Sequence, residues 1–411
     1  MVGMENNNEK NPMTKPPIVI VGAGPVGLVT ALRLDSFDFP VIVLERNSEV
    51  QNDLRASTFH PPTLEMLDDF DITEKLLEVG LKTSTWQIRM HETGEKAEFD
   101  LDVIAQDTKY PFRLQVEQRI LCKLATDQIA DLDNIDLRMG HELVSFEQND
   151  DAVTMTVKKP SGELYEIMTA YMIAADGANS FIRTSMDLNF EGHAYPETTI
   201  LVTTKFPFHE HIEGLSNVNY IWFENGTFSL LRLPDVWRCS LYAEVGQEIE
   251  HALEPANIES KLQLIVPKDT PYEVEEIRPY RIHQRTLDDY RVGRILFVGD
   301  AAHVNSPSGG MGMNGGIHDA WNLTEKLPKV LHGETDIDLL DLYTKQRQPI
   351  AKDEILKQAH KNRSRMQERD AVKRREELQR LQEIANDPAK AREFLLRSSM
   401  IDGLTKSRAI Q

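Results

Sequence analysis

Three short stretches hold residue types that could do chemistry together. The first, GAGPVG, sets Gly22, Gly24 and Gly27 in a GxGxxG pattern, with Pro25 and Val26 inside it and Glu45 eighteen residues beyond Gly27. Glycines at these offsets permit a tight turn and close approach of a pyrophosphate to a helix N-terminus, and an acid at that distance accepts hydrogen bonds from a ribose hydroxyl. The second, DGANSFIR, opens on Asp176-Gly177, with Arg183 seven residues after Asp176. The third runs from Gly299-Asp300 through PSGGMGMNGG, with five glycines in ten positions. Glycine costs backbone entropy and is kept where the chain takes unusual angles or passes close to something. A second loop-to-helix anion site, nearly 290 residues after the first, suits one cofactor with two separated demands, a pyrophosphate and a ring that becomes anionic when reduced.

The flanking residues give these stretches their elements. IVIV before the fingerprint and FPVIVLE after it are apolar strands, and PVGLVTALRL between them is a helix, so the glycines sit in a strand–turn–helix unit. RILFVGD is a buried strand ending at Gly299-Asp300, and the glycine run ends at the start of a helix with Ile317, Ala320, Leu323 and Leu327 on one side. A Pro-started helix is expected from Pro62 to Leu67, and YPFRLQVEQRILCKLATDQIADL reads as a strand leading into an amphipathic helix. Short strands follow, with turns at Asn149-Asp150-Asp151 and Pro160-Ser161-Gly162. From Ala194 to about Arg285 the runs are strand-like with few helix signals, which predicts an antiparallel sheet inserted into the nucleotide-binding fold. Tyr220, Trp222, Phe223, Phe228, Arg232 and Arg238 there could line a pocket for a flat ligand. After Pro349 the chain is helical and charge-dense, with Asp387-Pro388 as N-cap and first turn of a late helix. A solvated helix docking on the nucleotide-binding domain or on a sister subunit, the latter a homodimer, is expected.

Composition narrows the function classes. With 46 basic and 66 acidic residues the formal charge is −20, which disfavours nucleic acid and anionic membranes as partners. Ile18 to Leu34 is too short and too glycine-rich for a membrane span, so no integral membrane contact and a cytoplasmic location are expected. Cys122 and Cys239 lack a CxxC spacing and read as two ordinary thiols. His209 to His211 lacks a third ligand, so no metal is expected. The sequons at Asn225 and Asn322 mean nothing without secretion. The first seventeen residues read as a loose tail.

The fingerprint alone cannot separate a nicotinamide cofactor from FAD, since both carry the same ADP half. The order of motifs, GxGxxG, then DG, then GDAAHVNSPSGGMGMNGGIHDAWNL, resembles the class A FAD-dependent aromatic hydroxylases, single-component flavoprotein monooxygenases typified by para-hydroxybenzoate hydroxylase. The resemblance spans about Ile18 to Arg347 and implies an α/β fold, a Rossmann-type FAD-binding domain with an inserted antiparallel β-sheet substrate domain and C-terminal helices. The corresponding boundaries are a tail at 1–17, an FAD-binding domain at 18–85, 110–190 and 286–350, a substrate domain at 86–109 and 191–285, and a helical region at 351–411.

It also implies roles by position. Gly22, Gly24, Pro25, Val26, Gly27 and Glu45 would bind the ADP half of FAD, with Arg46 and Arg55 along the cofactor and Gln118 near the flavin chain. Asp176, Gly177 and Arg183 match a turn implicated in FAD and NAD(P)H contact. Gly299 and Asp300 would hold the ribityl or pyrophosphate region, Pro307 would border the substrate, and the backbone of Gly312, Met313 and Asn314 would meet the flavin ring. Met311 stands where the family more often has glutamine. The implied reaction uses NADH or NADPH and O2 to hydroxylate a small phenolic or hydroxy-heteroaromatic ring through a C4a-hydroperoxyflavin. No catalytic base is marked; His60, Tyr195, Tyr220, Arg232, His193 and Pro307 are candidates for polarising, anchoring or bordering the substrate. The alternatives are another flavoprotein of this fold, a reductase or a halogenase, although no WxWxIP segment is present, and a nicotinamide-dependent dehydrogenase.

Overall fold

The structure, a computed structural model, describes residues 16–50, 56–224, 226–243, 247–307 and 309–411. Strands Ile135–Met139, Val41–Glu45, Ile18–Val21, Met172–Ala174 and Ile295–Phe297 lie side by side in that order and run parallel; Arg291–Val292 adds an antiparallel edge. Ile18 to Val21 and Val41 to Leu44 are buried throughout, as strands covered on both faces require. Helix Pro25–Asp35 connects the first two strands and packs against helix Gly312–Thr324, which follows the glycine run. At the turn of the meander Glu142–Gln148, Val153–Lys158, the Asn149 side chain accepts hydrogen bonds from the amides of Asp151 and Ala152. Gly162 takes a positive φ of 88° at the next turn, into Leu164–Thr169.

A second sheet of eight strands is built from two separate excursions of the chain and, at one edge, the short strand His303–Val304. Its order is His303–Val304, Val274–Thr286, Glu191–Thr204, Trp237–Tyr242, Gly226–Arg232, Val218–Phe223, Thr85–Met90 and Lys96–Asp100. It is antiparallel except where Val218–Phe223 meets Thr85–Met90 in parallel. Strands from different excursions are not joined by a hairpin, so nothing local forces them antiparallel. The two longest strands, Glu191–Thr204 and Val274–Thr286, form a bulged ribbon. At its end Thr286 pairs with His303, three residues past Asp300, which ties this sheet to the nucleotide-binding half.

Two expectations change. The segment read as nearly free of helix contains Pro255–Ile265, opened by Pro255 and burying Ile258, Leu262 and Ile265 on one face. A short turn of helix, Phe208–His211, takes the two histidines, which stack on Trp237 and Phe206. The C-terminal helices Lys357–Gln367, Ala371–Ala385 and Pro388–Ser398 dock on the inserted sheet of their own chain, and the last helix, Ile401–Ala409, packs on helix Leu339–Ile350 of the nucleotide-binding half, where Ser407 donates to the Gln346 carbonyl. Met366, Leu378, Leu381 and Leu395 share a core with Trp86, Phe99 and Trp222. Arg374, although charged, is buried there because its guanidinium donates to the carbonyls of Phe223 and Gly226 at 2.8 and 2.9 Å. Asp387 caps the last of these three, accepting from the amides of Ala389 and Lys390. No helix of the described residues is long and apolar enough to cross a membrane.

Candidate active site

At the first glycine loop, a Cβ on Gly22 would stand 2.3 Å from the carbonyl oxygen of Ala175, and one on Gly27 1.9 Å from that of Gly22. These two glycines are demanded by the protein itself. A Cβ on Gly24 would meet nothing within 4 Å, so its bareness keeps space open in front of the helix N-terminus. Pro25 opens that helix at a position where a missing N–H costs nothing, and no side chain caps it. Glu45, at the end of the second strand, accepts from the amide of Ala23 at 2.9 Å and from the amide of Asn47 at 3.0 Å. Its carboxylate therefore stands beside the loop. Arg46 next to it is exposed, and Arg55 lies outside the described residues.

The second loop divides its glycines differently. Gly309 and Gly310 have positive φ of 100° and 67° and form the turn, closed by the Gly310 amide on the Pro307 carbonyl at 2.9 Å. The helix begins at Gly312, so Gly315 and Gly316 are helical. A Cβ on Gly316 would stand 2.6 Å from Val26 and 2.9 Å from Gly299, so this helix crosses the fingerprint helix at glycine distance. Gly312 and Met313 open the helix with no side-chain cap, and Asn314 spends its own side chain inside the protein. Its Oδ1 accepts from the His60 amide at 2.9 Å, and its Nδ2 donates to the carbonyls of Thr58 and Gly310.

One turn further, Asp319 anchors the loop in a way its sequence did not reveal. It is buried and accepts from the Gly299 amide, His303 Nε2 at 2.7 Å and Arg347 Nε at 2.7 Å. Burial opposes its charge, but His303 and Arg347 outweigh burial and hold the carboxyl below its usual range. The signal available in the sequence was the spacing of charged residues in GDAAH and DAWNL; their partnership appears only on folding.

The DG turn lies between the first loop and the Gly299-Asp300 segment. Ala175, just before Asp176, touches Gly22. Asp176 accepts from the Ile182 amide through Oδ2, while Oδ1 is buried without a partner, and burial raises its carboxyl. Gly177 has a φ of 80° and open space at its Cβ position. Arg183 turns inward: it donates to the carbonyls of Ala301 and Ala178 at 2.9 and 2.6 Å and lies 3.8 Å over the Phe190 ring. It braces the turn against the Gly299-Asp300 segment. Asp300 is exposed, and the amide of Gln118, first residue of its helix, donates to Ala56.

A cavity opens between the second glycine loop and the inserted sheet. Gly309 and Met311 form one wall, and Trp86, Ile88, Arg113 and Tyr220 another. Gln358, Asn362, Arg365, Met366, Phe394 and Ser398 from the C-terminal helices close it. Met311 is buried among Ile355, Ala359 and Met400, which gives the apolar residue at this position its physical reason. His60 is buried behind the cavity with Nε2 2.8 Å from the Gly309 carbonyl. Burial, and then the charge of Arg113, bring it down to about 3, so it is a neutral imidazole that donates through Nε2.

The remaining candidates lie elsewhere. Pro307 and His193 are exposed and Arg232 is half-buried at a strand end near His209; none lines this cavity. Tyr195 bonds Gln284 and His360 at 2.5 and 2.7 Å. Trp222 and Phe228 are core, and Arg238 pairs with Glu117. No group of three or more metal-ligating side chains gathers among the described residues.

Open space at Gly24, an unpartnered carboxylate oxygen at Asp176 and two uncapped helix N-termini, on helices that cross at Val26 and Gly316, fit one extended dinucleotide with an anionic ring. The fold and site thus define a flavoprotein of the inserted-sheet class. A family model described as FAD binding domain matches residues 15–358, and the chain belongs to that family. It is 31% identical over 396 residues to para-nitrophenol 4-monooxygenase of Pseudomonas sp. (strain WBC-3), covering 94% of this chain and 96% of that one. It is also 31% identical over 332 residues to 6-hydroxy-3-succinoylpyridine 3-monooxygenase of Pseudomonas putida, covering 80% and 83%. The crystal structure of p-nitrophenol 4-monooxygenase from Pseudomonas putida superposes with a TM-score of 0.88 at 29% identity, over 95% of this chain and 98% of the other. This protein is an FAD-dependent aromatic monooxygenase.

Proposed function

We propose that this protein hydroxylates a small phenolic or hydroxy-heteroaromatic ring, with NAD(P)H as reductant and O2 as oxygen source. The observation that carries this reading is the cavity, which adjoins the second glycine loop and sets aromatic and apolar side chains beside a few polar ones, Arg113 and Tyr220 among them. The relatives named for p-nitrophenol and a hydroxypyridine match almost the whole chain in the first case and four-fifths in the second. When bound, FAD would carry electrons from NAD(P)H to O2 and supply the oxygen-transfer chemistry.

The chain's own residues bind, orient and exclude water. Gly24, Glu45 and the N-terminus of helix Pro25–Asp35 would hold the ADP half, and Asp176 and Asp300 would hold the part of the cofactor beyond it. The amides of Gly312, Met313 and Asn314 favour negative charge at the ring edge through the helix dipole. Trp86 and Phe394, whose rings stack with centroids 6.0 Å apart, and Met366 dry the cavity. Tyr220 offers a hydroxyl to a ring substituent.

Purified protein reconstituted with FAD should be yellow, oxidise NAD(P)H faster when a phenol is added, and release a hydroxylated product. Failure to retain FAD, or oxidation that no phenol accelerates, would overturn the reading. A panel of phenols, hydroxybenzoates and hydroxypyridines identifies the ring.

A further inference from the structure

The cavity holds two arginines in different electrostatic states. Arg365, on the C-terminal side, is neutralised by Glu377 at 2.8 Å and also donates to Asn362. Arg113 is not neutralised. It sits on the short strand Arg113–Gln115, opposite Thr83, and is 3% exposed. Its Nε is buried with no hydrogen-bond partner, and no carboxylate among the described residues pairs with it. Its neighbours are the Trp86 ring, 5.0 Å below the guanidinium, and the phenol of Tyr220. Burial pulls its pKa down, with Tyr220 partly offsetting this, and its charge adds to the burial that keeps His60 neutral.

A buried charge without a counter-ion is costly, and removing one partner of a buried pair costs several kcal/mol for this reason. A fold that keeps one at the wall of a cavity leaves the counter-charge to whatever fills the cavity. Arginine's planar fork suits an oxyanion better than a lone hydroxyl, and the Trp86 face holds the guanidinium in plane.

We infer that Arg113 is the anion anchor of this cavity, so that the ring is bound with an ionised oxygen substituent, a phenolate or a carboxylate, against Arg113 and Tyr220. The inference rests on the hydroxylase reading and specifies its substrate class. Affinity for a phenol then rises with pH as the ligand loses its proton, whereas affinity for a benzoate is already full near neutrality. The two sources of oxyanion are thereby distinguished.

The test is equilibrium binding to FAD-loaded enzyme, read as perturbation of the flavin spectrum, with 4-nitrophenol, 4-hydroxybenzoate and the neutral rings 4-nitroanisole and 4-methoxybenzamide. Wild type should bind at least one anion more tightly than its neutral partner; a dissociation constant for 4-nitrophenol that falls with ligand ionisation marks the phenolate, and pH-independent tight binding of 4-hydroxybenzoate marks the carboxylate. Arg113→Met should weaken the preferred anion on the order of 10- to 100-fold, the worth of a charge-assisted hydrogen bond, and the neutral rings by less than about 3-fold. Arg113→Lys should keep part of the preference. Equal loss for anions and neutral rings, or a wild type that binds phenols without regard to ionisation, overturns the inference and leaves the hydroxylase reading standing. A wild type that binds no ring at all overturns both. The wild-type pH titration decides the matter even where Arg113→Met fails to hold FAD.

Discussion

The two glycine loops, 22–27 and 309–316, are alike in composition and opposite in economy. In the first, Gly22 and Gly27 answer steric demands from the backbone of the same loop and of Ala175, and Gly24 alone keeps space for a ligand. In the second, Gly309 and Gly310 answer a backbone demand, a turn with positive φ, and Gly316 answers a packing demand from Val26, a residue of the first loop. The loops are therefore not two independent anion sites that a cofactor happens to bridge. They are clamped together at Val26, Gly299 and Gly316, and the clamp sets the separation of the two helix N-termini.

The largest effects should come from breaking the first loop. Gly27→Ala puts a methyl 1.9 Å from a backbone oxygen, which cannot yield, so we expect little folded FAD-bound protein; Gly24→Ala has room and should fold with an unchanged melting temperature while binding FAD more weakly. Flavin content and thermal melting separate the two, and equal behaviour would refute the division of labour.

Next comes the anchor of the second loop. Asp319→Asn leaves Arg347 buried without its carboxylate and should cost about 3–5 kcal/mol, read from denaturant unfolding. Because the folded carboxyl is held below its ordinary value of 3.8, its contribution is present above that value and is lost as pH falls through the lower folded value. The variant should therefore show a flatter acid limb than wild type.

A smaller effect is expected at the clamp. Gly316→Ala overpacks against Val26 and should cost about 1–3 kcal/mol, and adding Val26→Ala should recover part of it. Strict additivity of the two would mean that the loops do not touch as described. Smallest, Met311→Gln should cost about 1–2 kcal/mol, because Ile355, Ala359 and Met400 offer the amide no partner; an unchanged melting temperature would show that the amide turns into the cavity.

What was legible in the sequence follows from locality. The parallel strands at Ile18 and Val41, the capped helix at Asp387 and the Asn149 turn depend on residues within a few positions of one another. The helix Pro255–Ile265 was legible in principle from Glu254-Pro255 and the spacing of Ile258, Leu262 and Ile265, but the aromatic, β-branched runs around it outweighed that signal. The helix after the glycine run begins inside it, at Gly312, because packing against Val26 overrides the poor helix propensity of Gly315 and Gly316.

By itself the sequence determined the two glycine loops and the strand–turn–helix unit around the first, because glycine spacing and element order are short-range requirements. Only the tertiary structure decided which charges are paired. Asp319 meets Arg347 and His303, the C-terminal helices close the cavity, and Arg113 is left without a carboxylate. Burial and partnership between residues far apart in the chain arise only when the two sheets and the last helices come together.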